Sequence, residues 1–447
     1  MKLTHTLMLI AIVAAQAHAQ APSQDTQAPV LTLDEAVSLA LNNNRLVKNS
    51  AFEAEKFDFH VDTARSRRLP QFQVAALGGE LLHSFDFTFR QGAFGTFNTV
   101  GPIPSTDKKI RTPARFTTYA TGAIDQPLSQ QYKIGLGIRA TEIGREIAKE
   151  DVREQRQKIA AEIKSVYYEL IATQSGVDAA RQSVTALEEA QRLTSRYLAQ
   201  QTVLKGDALE VDARLAKSRY ELSTAEDALV TQSEHLNQLI GRNVSTPFRV
   251  TAVPDDDLKG LTLDEARQKA MGSRPEVRQA HLKEKQAEFD HRIAKAEYIP
   301  DLSLSLRYQG LDNVRVLPAN VATLGFYLTW EPFDWGRRHN NIAEKRRTVE
   351  QAKNGTQETE SQILVEVGAK YRKSQEALLL LKAAQTGREA AKEQLRVTLN
   401  KYQEQSALIK DLLQAQARGS ETEAQYQQAL SSYWGNLADL RRAMGEE

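Results

Sequence analysis

Gly135, Gly137 and Ala140 stand in the spacing G-x-G-x-x-A, which in a dinucleotide-binding fold lets a tight turn bring the backbone against a pyrophosphate. That chemistry needs a strand, a short helix and a second strand within about thirty residues, with an acid about twenty residues further on to hold the ribose. Here the glycines precede an unbroken polar helical stretch, so the spacing reads as a loop entering a helix. The run Asp255, Asp256 and Asp257 after Pro254 lacks the alternating ligand spacing of a calcium loop and reads as a solvated acidic linker. None of the eight histidines pairs at the i, i+4 spacing of a helical zinc site. Acidic pairs on the long polar stretches are what a chain with 26% charged residues must contain. No nucleophile stands out beside a base, and the expectation is that the chain is not an enzyme and needs no cofactor.

Bulk properties narrow the remaining classes. Lys and Arg number 58 against 57 Asp and Glu, so no net field attracts nucleic acid, and no nucleic-acid partner is expected. Lys2 precedes an apolar run from Leu7 to Ala15, and Ala17 and Ala19 flank His18 in a small-x-small pattern. Residues 1–19 therefore read as a cleaved export signal, with 20–30 as an N-terminal tail. The chain has no cysteine, which excludes both disulfides and lipid attachment at a cysteine. Beyond residue 19 no run reaches the roughly eighteen consecutive apolar residues of a membrane helix, so any membrane segment must be built of strands.

The elements that would position functional residues are written twice. Leu31 to Ala36 reads LTLDEA, and the same six letters recur at Leu261 to Ala266. At a fixed offset of 230, eleven of forty positions are identical, among them Ala40 and Ala270, Val47 and Val277, Phe59 and Phe289, and Pro70 and Pro300. Thr32 with Glu35, and Thr262 with Glu265, fit the capping box of a helix start. Each helix is expected to run to the residue before Pro70 or Pro300, where the proline ends it.

Strands follow. Leu302, Leu304, Leu306 and Tyr308 alternate with Ser303, Ser305 and Arg307, and Leu324, Phe326, Leu328 and Trp330 alternate in the same way. The first copy repeats this more faintly around Phe72 and Val74 and over Phe116 to Ile124, with residues 89 to 114 as a loop. Phenylalanines at 85, 87, 89, 94, 97 and 116 read either as a packed loop or as the interfacial girdle of a barrel. From about 140 to 240 and about 340 to 444, proline is absent and helix formers dominate. Either stretch as one helix would reach about 150 Å, so each is expected to fold back once, into arms of about 50 to 60 residues. Gly206 offers a breaker near the first turn, the equivalent segment at Lys410 has none, and Tyr197 and Tyr402 precede the two segments at nearly matched positions. The organisation read here is a first repeat over 31–240, a linker over 241–260 and a second repeat over 261–447.

This plan resembles the TolC family of outer-membrane efflux proteins. The marks are the paired LTLDEA starts, Leu69-Pro70 and Ile299-Pro300 before strands, and Gln126-Pro127-Leu128 and Glu331 to Arg338 after them. The resemblance implies a mixed α and β fold. In it a homotrimer shares a transmembrane β-barrel, four strands per chain, continuing into a periplasmic α-helical coiled-coil barrel. It implies that Leu302, Leu304, Leu306, Phe326 and Trp330 meet outer-membrane lipid. Tyr402 and Asp411 on one hairpin and Asp207 on the other match the family's periplasmic gate. Gln405, Ala407 and Gln414 depart from the family's tip glycine, arginine and second aspartate, so Lys410 or Lys205 is the candidate replacement cation. Gln201, Thr202, Leu204, Gln405, Ser406 and Leu408 are the tip residues implied for contact with a periplasmic adaptor (membrane fusion) protein. That adaptor couples the duct to an inner-membrane transporter. The function implied is a passive exit duct for small molecules. A type I protein secretion duct shares the architecture, and a periplasmic coiled-coil scaffold would share the helices alone.

Overall fold

The computed structural model describes residues 29–201, 203–251, 260–404 and 406–447. Residues 1–19, read above as an export signal, and Thr202, Gln405 and the aspartates 255–257 lie outside them.

Both capping boxes form. The Glu35 N–H donates to Thr32 Oγ1 at 3.3 Å while Thr32 N–H donates to Glu35 Oε2 at 3.0 Å. Glu265 and Thr262 repeat the exchange at 3.3 and 2.9 Å. The helices they start do not run to the prolines unbroken. A strand β1 (Val30–Leu31) leads into α1 (Leu33–Asn43), and the chain then bends at Asn44 before α2 (Arg45–Ser66). Asn44 is extended at ψ 131°, and its Oδ1 accepts from Leu46 N–H at 2.8 Å, which caps the second helix. The second copy bends at Arg274 for a different reason: Pro275 has no N–H to give the preceding turn and restricts the residue before it.

Strand β2 (Gln71–Glu80) leaves the bundle, and residues 81–115 contain four further strands: β3 (Phe85–Phe89), β4 (Thr96–Phe97), β5 (Gly101–Pro102) and β6 (Lys108–Thr112). The expected loop over 89 to 114 is thus largely a pair of hairpins, β3 with β6 and β4 with β5. The missed signal is the alternation of Phe85, Phe87 and Phe89, which pair in register with Thr112, Ile110 and Lys108. Strand β7 (Phe116–Pro127) returns to α3 (Gln130–Ala199), a helix of 70 residues and about 105 Å. The glycine pattern at 135 to 140 lies inside this helix, not in a loop before it. After the tip turn, α4 (Lys205–Leu239) has only 35 residues. Strand β8 (Arg249–Val250) then pairs in parallel with β1, so part of the expected linker is structured.

The second copy runs α5 (Leu263–Ser273), α6 (Pro275–Ala296), β9 (Asp301–Leu311), β10 (Asn320–Thr329), α7 (Arg337–Gln403, 67 residues) and α8 (Ile409–Ala443, 35 residues). The equal hairpin arms expected from length alone are therefore wrong: both hairpins pair a long helix with a short one. The long helix is covered along its length by two short ones in succession, α4 and then α2 in the first copy. A side-chain bond ties those two together, Asn44 Nδ2 donating to Leu239 O at 2.8 Å. Such stacking lets a 70-residue helix bury one face throughout, which one returning arm of equal length would otherwise have to do.

The core follows the same plan twice. Ala36, Ala40 and Val47 pack on Ile159, Ile163, Tyr167, Leu236 and Ile240. Ala266, Ala270 and Val277 pack on Ile363, Val367, Leu440 and Met444, with Tyr371 alongside. Alanine at the first two positions lets the short helix approach the long one closely. No described helix is long and apolar enough to cross a membrane.

Candidate functional site

Strands β2, β7, β9 and β10 form one antiparallel sheet in the order β10, β9, β7, β2. Its register sorts side chains by face. Phe72, Ile124, Leu306 and Leu324 lie in one row across all four strands, and Val74, Gly122, Tyr308 and Ala322 lie in the next row of that face. Leu304 pairs with Phe326, and Leu302 with Leu328, on the same side. The opposite face carries Gln71, Asp125, Ser305 and Gly325 in one row and Gln73, Ala123, Arg307 and Thr323 in the next. Side chains alternate across a strand, so over these rows the sheet is apolar on one side and polar on the other.

The apolar face has no cover within the chain. Phe72 is 74% exposed, Phe326 73% and Leu324 69%. Leu304 and Leu306 are exposed too, Leu302 is half-buried, and Trp330 is exposed one residue beyond β10. Exposed apolar surface on this scale marks a site that something else covers. At the end of the sheet nearest the helices, Phe333 and Trp335 stand exposed with their rings 4.7 Å apart. Trp335 sits at φ 55° and Gly336 at φ 84°, two left-handed residues in succession. Asp334 holds that corner by accepting from the N–H groups of Gly336 and Arg338 at 3.1 Å each and pairing with the Arg338 guanidinium. The Arg338 hydrogen bond keeps the Asp334 carboxyl below its ordinary value. This corner is the Glu331 to Arg338 segment already marked in the sequence; its exposed aromatic pair is what the structure adds.

The other end of the molecule is the pair of helical turns. Tyr402 is buried at 6% exposure in a core with Leu187, Ala190, Val211, Leu215, Ile409, Leu412 and Leu413. Its ring meets Tyr197 edge to face at 6.4 Å, joining the two hairpins. Burial pushes the Tyr402 hydroxyl above its ordinary value. Asp207 and Asp411 each sit at the third position of the short helix they begin. Asp207 accepts from Leu204 N–H at 3.2 Å and Asp411 from Leu408 N–H at 3.3 Å. A carboxylate there also meets the positive end of the helix dipole. Lys205 and Lys410 are exposed beside them, and Gln201 and Ser406 are exposed in the turns. The outermost apolar side chains are Leu204, 75% exposed, and its counterpart Leu408, 70% exposed.

Residues 266–446 match the family model described as outer membrane efflux protein. The second half of the chain is thus similar in sequence to outer membrane efflux proteins. No curated protein matches the chain in sequence. Solved structures extend the likeness to nearly all of it. The Campylobacter jejuni CmeC outer membrane channel has a TM-score of 0.74 at 16% identity, over 92% of this chain and 85% of that one. The Vibrio cholerae outer membrane protein VceC has 0.71 at 16%, over 93% and 96%. A membrane protein from Pseudomonas aeruginosa has 0.75 at 18%, over 93% and 90%. The first half, lying outside the efflux-protein match, thus shares the fold of these outer membrane proteins. Between β2 and β7 it carries β3 to β6, a hairpin pair with no counterpart between β9 and β10.

Proposed function

We propose that the protein is the outer-membrane exit duct of a tripartite efflux system, passively conducting small molecules delivered by an inner-membrane transporter and a periplasmic adaptor. Residues 31–240 and 261–447 are its two structural repeats, and three chains make the duct. The observation that carries this reading is the four-stranded sheet with one uncovered apolar face. Its outer strands β2 and β10 each have one side unpaired among the described residues. Four strands of this length cannot close on themselves; three such sheets joined edge to edge close a barrel and remove every open edge. Leu302, Leu304, Leu306, Phe326 and Trp330 then meet lipid, while the polar face surrounds water. Strands of about ten residues, tilted, match the apolar thickness of an outer membrane.

The tips are the periplasmic entrance. Leu204 and Leu408, exposed at equivalent positions on the two turns, are the contacts offered to the adaptor, flanked by Gln201 and Ser406. Asp207 and Asp411 ring the entrance, with Lys205 and Lys410 as the available cations and Tyr402 as the anchor that sets the spacing of the hairpins. A periplasmic scaffold would have no use for an uncovered apolar strand face.

The test is to express the full chain in a two-membrane bacterium, separate the membranes and weigh the detergent-extracted particle. A trimer in the outer-membrane fraction is expected; a soluble periplasmic monomer or dimer would overturn the duct. Leu204→Asp with Leu408→Asp should leave the trimer intact and abolish efflux supported by the adaptor and pump. Unchanged efflux in that variant would remove the tips from the docking surface. Unchanged conductance in Asp207→Ala with Asp411→Ala would remove the entrance ring.

A further inference from the structure

On the polar face of the four strands only three side chains are charged: Asp125, Asp301 and Arg307. Asp301 is neutralised at the foot of the sheet by Lys133 from α3, at 2.6 Å. Arg307 lies further along the strand, in the row that also contains Gln73, Ala123 and Thr323. It makes no ion pair among the described residues. Its Nε donates to Ser305 Oγ at 3.2 Å, and its guanidinium carbon lies 5.0 Å from the centre of the Tyr327 ring. Ser305 in turn bonds Asp125 Oδ1 at 2.5 Å. The guanidinium is therefore steadied on one edge and one face, while its Nη groups have no acceptor among the described residues. An arginine fixed in this way presents a planar fork of donors that suits a carboxylate or phosphate.

We propose that Arg307 is a charge-selecting residue of the barrel interior, which contacts the anionic groups of passing cargo. This rests on the duct reading, because only there does the polar face become the wall of a pore and three copies of Arg307 form one band. The Ser305 hydroxyl and the Tyr327 ring act as positioning groups. Asp125, held one row nearer the helices by Ser305, supplies the opposing charge. The band thus joins cation to anion, and removing either member exposes the other. In a narrow low-dielectric wall, a ring of like charges governs which ions enter.

The experiment is ion selectivity of the full-length protein in planar bilayers under a potassium chloride gradient. Arg307→Gln is expected to shift the reversal potential toward cation selectivity, because Asp125 is left unopposed. Arg307→Lys should stay near the wild-type value, and Asp125→Asn should shift it toward anions. Conducting Arg307→Gln channels with an unmoved reversal potential would overturn the assignment while leaving the duct standing. Should Arg307→Gln fail to form channels, Asp125→Asn decides alone, and an unmoved potential there overturns the assignment. Wild-type protein that inserts and never conducts would instead overturn the duct reading and the band that rests on it.

Discussion

The two joints where a short returning helix meets the bend of the opening helix pair have the same backbone and different chemistry. In the first, Asn44 Nδ2 donates to Leu239 O at 2.8 Å, a neutral bond from a buried side chain. In the second, the equivalent residue is Arg274, which reaches Ala443 O at 3.4 Å and also pairs with Glu276 at 2.5 Å and Glu366 at 2.6 Å. What the joints share lies in the backbone. Gly241 at φ 73° and Gly445 at φ 86° end the short helices, and a Cβ on either would meet backbone atoms of Asn43 or Ser273 at under 3 Å. Tyr167 and Tyr371 likewise both donate to the strand or turn before the first helix, at Leu31 O and Leu261 O. The geometry of the joint thus demands a donor at the bend and a glycine at the helix end, whether or not the donor is charged.

Substitutions at the two joints separate what they share from what they do not, with stability read as loss of helical circular dichroism on heating in detergent. Arg274→Ala should have the largest effect, about 3 kcal/mol, at the low end for a buried pair because Glu276 and Glu366 keep some solvent contact. Gly241→Ala and Gly445→Ala should each lose about 2 kcal/mol, since both the left-handed backbone and the close approach resist a methyl group. Equal losses in the two would support a shared backbone requirement; a loss in one alone would break the equivalence. Asn44→Ala should cost about 1 to 2 kcal/mol, less than Arg274→Ala, because it strands an acceptor and no charge. A cost equal to that of Arg274→Ala would show that the ion pairs add nothing.

Smaller effects separate the halves further. Tyr167→Phe should cost about 1 kcal/mol and Tyr371→Phe less, because the Tyr167 hydroxyl also accepts from Thr251 N–H at 3.1 Å. Acid should loosen the second joint slightly before the first. Burial opposes ionisation of Glu276, but the hydrogen bond and charge of Arg274 outweigh it, so its carboxyl sits below the ordinary 4.5. A depressed carboxyl stabilises the fold above its unfolded value and loses that contribution as pH falls through its folded one. Hydrogen exchange below pH 4.5 should therefore rise first near residues 270–276, and Arg274→Asn should remove the difference.

Some of this could be read directly. The capping boxes at Thr32 and Thr262 and the prolines at 70 and 300 are local signals, and they bound the opening helices to within a few residues. The alternation from Leu302 to Tyr308 named the apolar face of β9 in the correct phase. The first-copy strands were fainter because Ala75, Ala76, Gly78 and Gly79 in β2 blur the alternation. The bend at Asn44 has no decisive local signal, because an asparagine inside a helical pattern can face solvent as easily as it can cap. At Arg274 the following proline was a usable signal. Tyr402 was readable as a tip residue, but its burial against Tyr197 was not, since the two lie on different hairpins.

Legible in the residues alone are the two LTLDEA starts with their capping boxes, the prolines that close each opening helix pair, and the apolar side of β9 and β10. These depend on neighbours within a few residues: a hydroxyl and a carboxylate three apart, a proline without an N–H, a period of two. The unequal hairpin arms, the stacking of α2 and α4 on one long helix, and the shared register of four separated strands emerge from long-range packing. Those outcomes turn on contacts between residues as far apart as Asn44 and Leu239 or Asp125 and Ser305. No local pattern encodes such pairs, because their free energy appears only when distant surfaces are buried together.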